Sequence, residues 1–498
     1  MQLKKILSLV FVMGVLNFAS AQNINIIPEP YQLTKLQGTY TLPKIITINA
    51  PSTANAIATT LSDKLKTTTG KAVVISKNKP NIDIQIINDA NIGTEGYTLE
   101  VNEKGIQLKA NTNAGLFFGW QTIQQLLPAA IYSNTLQANT NWTIPYVSIV
   151  DKPRFGWRGL MLDVSRHFFT KAEVLTFIDD MARYKFNRFH WHLTDDQGWR
   201  IEIKSLPKLT TVGAWRAERK GKWSNITTPA KEEPKTYGGF YTQEEIKEVV
   251  AYAKARSIEI IPEIDIPGHS LAMNTAYPFL STTPNYPFQV NAGEEFMDWD
   301  GLNGHVTARI DNSLDPSNET VYEYLDKIFG EIATLFPFEY IHMGGDENAK
   351  NNWEKSANVQ ALMKKEGLKN QNEVQSYFVR RVQKIINSKG KKMMGWDEIL
   401  EGGLSGNATV MSWRGVKGGI EAAKQNHDVV MSPGSHCYFY HYQSGNPNEP
   451  LAIGGFLPLE KVYSYSPIPQ NLTYQEGRHI LGGQANLWTE YIPTMSKL

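Results

Sequence analysis

Residues 340–347 read Tyr-Ile-His-Met-Gly-Gly-Asp-Glu. A short apolar run ends in two flexible glycines and then in two adjacent acids. Moving outward from it, the same layout recurs along the second half of the chain. Leu160–Val164 carries Asp163 near its end, and Arg188–Leu193 is followed by Asp195-Asp196. Ile258–Ile264 is followed by Asp265 and His269, and Lys392–Trp396 by Asp397-Glu398. Thr409–Trp413 precedes Arg414, Val429–Ser432 comes next, and His479–Leu487 runs into Trp488-Thr489-Glu490. Helical patterns separate most of these runs, for example Lys171–Tyr184, Thr242–Ala255 and Glu373–Ser388. Apolar strands alternating with helices specify an α/β fold, a (β/α)8 TIM barrel. In such a barrel the ends of the strands meet on one face, which places the acids, tryptophans and arginine together.

Residues 22–150 differ in pattern and read as a small α+β domain. Ala54–Thr69 is a helix stopped by Gly70, Tyr97–Val101 and Ile106–Ala110 alternate as a hairpin, and Asn113–Leu127 is amphipathic. No chemistry is evident in it. The expected organisation is a signal peptide over 1–21, the small domain over 22–150 and the catalytic barrel over 151–498. The signal reading rests on Lys4-Lys5, the apolar run from Ile6 to Leu16 and the small residues Ala19-Ser20-Ala21, and it implies a secreted or periplasmic protein. That run is too short to span a bilayer, and no later segment is long and apolar enough to do so.

Of the 498 residues 41% are hydrophobic and 20% charged, which permits a large core and excludes wholesale disorder. A net charge of +1 argues against a nucleic-acid partner. The single cysteine excludes an intrachain disulfide and a thiolate metal cluster.

Carboxylates beside tryptophans suit the cleavage of glycosidic bonds. An acid protonates the leaving oxygen, aromatic faces pack on sugar rings, and Asp, Glu and Arg read hydroxyls. His190-Trp-His192 places two imidazoles on one strand face, a pattern shared by metal pairs and by structural histidines. A barrel metal site usually needs further histidines from later strand ends; the fifth and sixth strands end in tryptophan and offer none, so no metal or other cofactor is expected. Asp346 and Glu347 are neighbours, and in extended backbone neighbours point to opposite faces. An acid and a nucleophile flanking one bond are therefore hard to build from this pair.

Five segments carry a specific resemblance. They are residues 157–168 (WRGLMLDVSRHF), 190–200 (HWHLTDDQGWR), 262–269 (PEIDIPGH), 342–347 (HMGGDE) and 483–490 (GQANLWTE). In this order they resemble family 20 glycoside hydrolases, the β-N-acetylhexosaminidases, and the small domain resembles that family's α+β domain. The resemblance implies exo-acting removal of terminal β-linked N-acetylglucosamine or N-acetylgalactosamine with retention, the substrate's own acetamido oxygen acting as nucleophile. It implies Glu347 as acid and base, Asp346 as the group holding the acetamido N–H, and Tyr438 as a donor to the acetamido oxygen. It further implies Trp396, Trp413 and Trp488 as pocket walls, Arg158 and Glu490 as readers of outer hydroxyls, and Asp195 with His269 as a relay behind Glu347. Two departures stand out. Tyr440 occupies a position where the family pattern carries an aspartate, and the barrel is expected to lack its final helix. The residues leave two rivals open: a two-carboxylate retaining glycosidase using Glu347 with Glu263 or Glu490, and a carbohydrate-binding protein on an inactive truncated barrel.

Overall fold

The computed structural model describes residues 24–223, 225–300, 305–404 and 406–498. The expected signal peptide lies outside the described residues. The chain divides into two compact units that part between Lys152 and Pro153.

The first unit is a seven-stranded mixed sheet with two main helices. Tyr97–Asn102 and Gly105–Ala110 form the expected hairpin, closed by the pair Asn102 and Gly105. The helix Asn55–Thr69 ends where Gly70 takes a left-handed conformation, φ 69°, which costs a glycine no Cβ clash.

The second unit is a closed barrel of eight parallel strands. They are β1 (Trp157–Asp163), β2 (Arg188–His192), β3 (Glu259–Glu263), β4 (Tyr340–His342), β5 (Lys392–Trp396), β6 (Thr409–Ser412), β7 (Val429–Met431) and β8 (Ile480–Leu487). β8 pairs with β1 to shut the ring. The outer helices form for local reasons. Lys171–Arg183 begins with a capping box, Thr170 and Glu173 satisfying each other's backbone N–H groups. It buries Val174, Phe177, Ile178, Met181 and Ala182, a spacing that lays one stripe on the barrel. Residues after Leu487 form turns and no helix. Among the described residues no helix is long and apolar enough to cross a membrane.

Strand register lines up polar side chains around part of the ring. Asp163 of β1 lies level with His192 of β2, His192 with Glu263 of β3, and Glu263 with His342 of β4. Four polar residues thus form one row across four adjacent strands. His190 sits two residues before His192, on the same face of β2.

Candidate active site

The loop after β4 carries the paired acids. Its backbone is not extended: Gly344, Gly345 and Glu347 have φ values of 71°, 99° and 48°. Gly344 is obligatory, because a Cβ there would stand 1.7 Å from Asp265 Oδ1. Glu347 is held in a left-handed conformation that a glutamate adopts only at a cost in energy. The turn corrects the expectation of opposite faces. His269 Nε2 lies 3.5 Å from Glu347 Oε2 and 3.8 Å from Asp346 Oδ2, so both carboxylates face one ring nitrogen.

His269 in turn has Nδ1 3.0 Å from Asp195 Oδ1 and 3.1 Å from Asp196 Oδ2. Burial works against its charge, but Asp195 and Asp265 carry the imidazole well above its ordinary value. Asp195, His269 and Glu347, expected from the resemblance to form a relay, lie in this order, with the last contact longer than a hydrogen bond. Asp346 differs: burial pushes its carboxyl up to about 7, His269 opposing and the charge of Glu347 adding. Its Oδ1 is buried and accepts no hydrogen bond from the described residues.

Aromatic rings enclose the acids. Trp396 and Trp488 have centroids 5.9 Å apart, and Tyr438 stacks on Trp413 at 6.0 Å with 17° between planes. Tyr438 lies 6.4 Å from Trp488 and 5.7 Å from Tyr440. The indole N–H of Trp413 donates to Glu398, at 2.9 Å. Burial, with Asp397 alongside, raises the carboxyl of Glu398 well above its ordinary range. The phenol of Tyr440 is raised well above its ordinary value by burial and by the nearby charges of Glu490 and Glu347.

The family profile described as "Glycosyl hydrolase family 20, catalytic domain" matches residues 155–498, and that described as "Glycosyl hydrolase family 20, domain 2" matches residues 23–152. This chain belongs to glycosyl hydrolase family 20. A protein named beta-hexosaminidase from Porphyromonas gingivalis is 41% identical over 96% of this chain, which spans 58% of that relative's length. One of the same name from Vibrio furnissii is 35% identical, over 96% of this chain and 74% of the relative. The crystal structure of a family 20 exo beta-N-acetylglucosaminidase from Vibrio harveyi superposes with a TM-score of 0.79 at 34% identity, covering 94% of this chain and 70% of that one.

One expected family 20 residue is misplaced. Arg158 lies at the start of β1, five residues before Asp163, about 16 Å away along a strand. Its Nε donates to the carbonyl of Lys185 and its Nη1 to that of Phe155, so it braces the opposite end of the barrel. The arginine at the strand ends is Arg166. Its Nη2 lies 2.8 Å from Asp195 and its guanidinium 4.9 Å over the Trp488 ring. It also faces Glu490, whose carboxyl burial raises to about 7 against the pull of Arg166. The signal was available: Arg166 lies three residues beyond Asp163, past the strand end, whereas Arg158 precedes the strand's apolar core.

Glu263 is also not where a nucleophile could act. It is fully buried, and it accepts hydrogen bonds from His192 Nδ1 at 2.6 Å and from Trp396 Nε1 at 2.8 Å. His190 Nε2 stands 2.9 Å away and His342 Nδ1 3.2 Å. Burial alone would raise this carboxyl; His192, His342 and His190 hold it well below its ordinary range. The two-carboxylate reading with Glu263 is thereby corrected: the carboxylate is fully buried beneath the pocket and each of its oxygens already accepts a hydrogen bond, from His192 and from Trp396. His190, Glu263 and His342 also place one possible ligand atom each within 4.8 Å of one another. A cation there would have to displace the indole and imidazole protons that already fill the carboxylate.

The lone thiol, Cys437, precedes Tyr438 in the loop after β7, and burial pushes it up to about 12.

Proposed function

We propose that this chain is an exo-acting β-N-acetylhexosaminidase that removes terminal β-linked N-acetylglucosamine or N-acetylgalactosamine with retention, assisted by the substrate's acetamido group. The observation that carries the reading is the shared facing of Asp346 and Glu347 toward His269 Nε2. Two carboxylates on one side of the scissile bond cannot act as acid and back-side nucleophile. They can act as acid and acetamido anchor.

In this reading Glu347 protonates the glycosidic oxygen while the acetamido carbonyl oxygen attacks the anomeric carbon. Asp346 accepts the acetamido N–H on its buried, otherwise unpartnered Oδ1 and stabilises the positive oxazolinium that forms. Tyr438 donates to the acetamido oxygen, and Trp396, Trp413 and Trp488 wall the methyl group and ring. Glu347 then takes a proton from water, which opens the ring from the face the leaving group left. Arg166, Glu490 and Tyr440 meet the outer hydroxyls. The names of the Porphyromonas and Vibrio relatives support the same activity. A sugar-binding barrel without catalysis is not favoured: the names of the relatives point to hydrolysis, and Asp195, His269, Asp346 and Glu347 lie close together, as this reading needs. Export, from the Lys4-Lys5 and Ala19-Ser20-Ala21 pattern, belongs to the same proposal.

Turnover of an aryl N-acetyl-β-glucosaminide, with no turnover of the aryl β-glucoside that lacks the acetamido group, is the expected result. Comparable rates on the two would overturn the reading.

A further inference from the structure

The relay does not stop at Asp195. Its second oxygen, Oδ2, lies 2.9 Å from His192 Nε2, and His192 Nδ1 lies 2.6 Å from Glu263 Oε2. The chain of contacts runs Glu263, His192, Asp195, His269, Glu347, with every member but Glu347 buried. We propose that Glu263 and His192 are positioning residues of the acid, the far half of a five-membered relay that, together with Arg166 on the same Asp195 oxygen, fixes Asp195 as a carboxylate and so holds His269 toward Glu347. This rests on the functional reading above.

The proton positions are dictated by the partners. Each ring nitrogen of His192 faces a carboxylate, so both must carry a proton and the ring is an imidazolium. Burial opposes that charge, but Glu263 and Asp195 carry it up to about 10. The neighbouring histidines differ. Gln484 Nε2 can only donate to His190 Nδ1, at 2.9 Å, so the proton of His190 sits on Nε2, which lies beside Glu263 without a hydrogen bond to it. The backbone N–H of Gly344 donates to His342 Nδ1 at 3.1 Å, so His342 carries its proton on the other nitrogen. His190 and His342 are therefore neutral, and His192 is the cation of the knot.

The charged and titratable groups facing this knot come from four strand ends. They are Asp163 and Arg166 after β1, Asp195 and Asp196 after β2, Asp265 and His269 after β3, and Asp346 and Glu347 after β4. Of these, only Asp195 touches His192 on the side away from Glu263. Glu263 also grips the indole of Trp396, so one buried carboxylate ties the relay to the acetamido wall. The last contact, 3.5 Å to Glu347, exceeds a hydrogen bond. Contacts of this kind are commonly long in free enzymes and shorten in the substrate complex.

The test reads His192 directly. With 15N-histidine in the full chain, two-bond 1H–15N spectra report whether both ring nitrogens are protonated. His192→Gln assigns the signal. The expected wild-type ring stays doubly protonated from about pH 5 to 9. Glu263→Gln removes one of the two opposite charges and should lower its midpoint by about one to three units. The same midpoint should then appear as a new alkaline limb in kcat/KM on a substrate with an unactivated leaving group. Above it kcat should fall by roughly tenfold, and aryl substrates should suffer less. Glu263→Asp, which keeps the charge, should restore the limb toward wild type. A neutral wild-type His192 at pH 7 overturns the proposal, with no variant needed. A Glu263→Gln enzyme slowed equally at every pH also overturns it, since that is mere structural damage. If Glu263→Gln does not fold, the wild-type spectrum decides. Failure to turn over any N-acetyl glycoside would sink the functional reading, which the spectrum does not depend on.

Discussion

Glu263 and Asp346 lie shut away from water at the ends of neighbouring strands of one barrel, yet their acidities have moved in opposite directions. Glu263 is engaged by donors: an indole and an imidazolium each point a proton at one of its oxygens, and a second imidazole lies beside it. Asp346 has a distant histidine on one oxygen and nothing on the other. The first carboxyl is held well below its ordinary value and the second raised to about 7. Burial does not decide the charge of a carboxyl. The protons aimed at it do, and an acid meant to serve a substrate is left short of them. In the functional reading the missing donor is the acetamido N–H of the sugar.

The largest effects should come from the unsatisfied side of this contrast. Glu347→Gln keeps shape and removes the acid, so kcat on substrates with poor leaving groups should fall by roughly 10² to 10⁴. Aryl substrates, which need little protonation, should lose less, whereas Asp346→Asn should slow both classes by about 10² to 10³. A chitobiose-type substrate cleaved at a near-normal rate by Glu347→Gln would show that the role belongs to another residue.

Stability should separate the two carboxyls by sign. The folded-state value of Asp346 is raised, so its contribution is fully present below about pH 4 and lost as pH rises through about 7. Asp346→Asn should therefore raise Tm relative to wild type at pH 8 and leave it nearly unchanged at pH 4. Glu263 is depressed, so its contribution is present at neutral pH and lost on acidification. Glu263→Gln should cost on the order of 3–5 kcal/mol at pH 7, because it strands a buried cation. Melting curves of both variants at two pH values check this, and shifts of the same sign would break the contrast.

The two arginines offer a milder version of the same comparison. Arg166→Ala should raise KM by about ten- to a hundredfold, since in the functional reading it removes a charged contact to the sugar, and it bares Asp195. Arg158→Lys should leave kcat/KM unchanged and lower Tm slightly. The smallest effect concerns Tyr440. A phenol gives one donated hydrogen bond where a carboxylate accepts several, so Tyr440→Asp should shift the gluco to galacto ratio of kcat/KM by a few-fold. An unchanged ratio would mean that Tyr440 does not meet C4 or C6.

The barrel was legible because each strand is a short apolar run with its polar residues at one end. Where those ends fall gathered acids and tryptophans on one face; the roles of Asp195, His269 and Glu347 as a relay and of the tryptophans as walls came from the resemblance of the five segments to family 20. What sequence could not show was handedness in the backbone. The left-handed turn through Gly344, Gly345 and Glu347 brings together two acids that a strand would have set apart. Nor could it show which partner a buried histidine meets: His190 and His192 had the spacing of a metal pair, but β3 places a glutamate level with them. Arg158 went astray because a motif was read as a unit. Its arginines stand at opposite ends of one strand, and only rise per residue tells them apart.

The solitary thiol gives the enzyme a built-in clock. Cys437 is adjacent to Tyr438 and buried, with its proton held up to about 12, so an alkylating reagent should label it slowly, and faster only if the loop after β7 lifts. Its labelling rate is therefore a direct readout of any opening of that wall. No reporter has to be engineered in, and no second cysteine is present to blur the count.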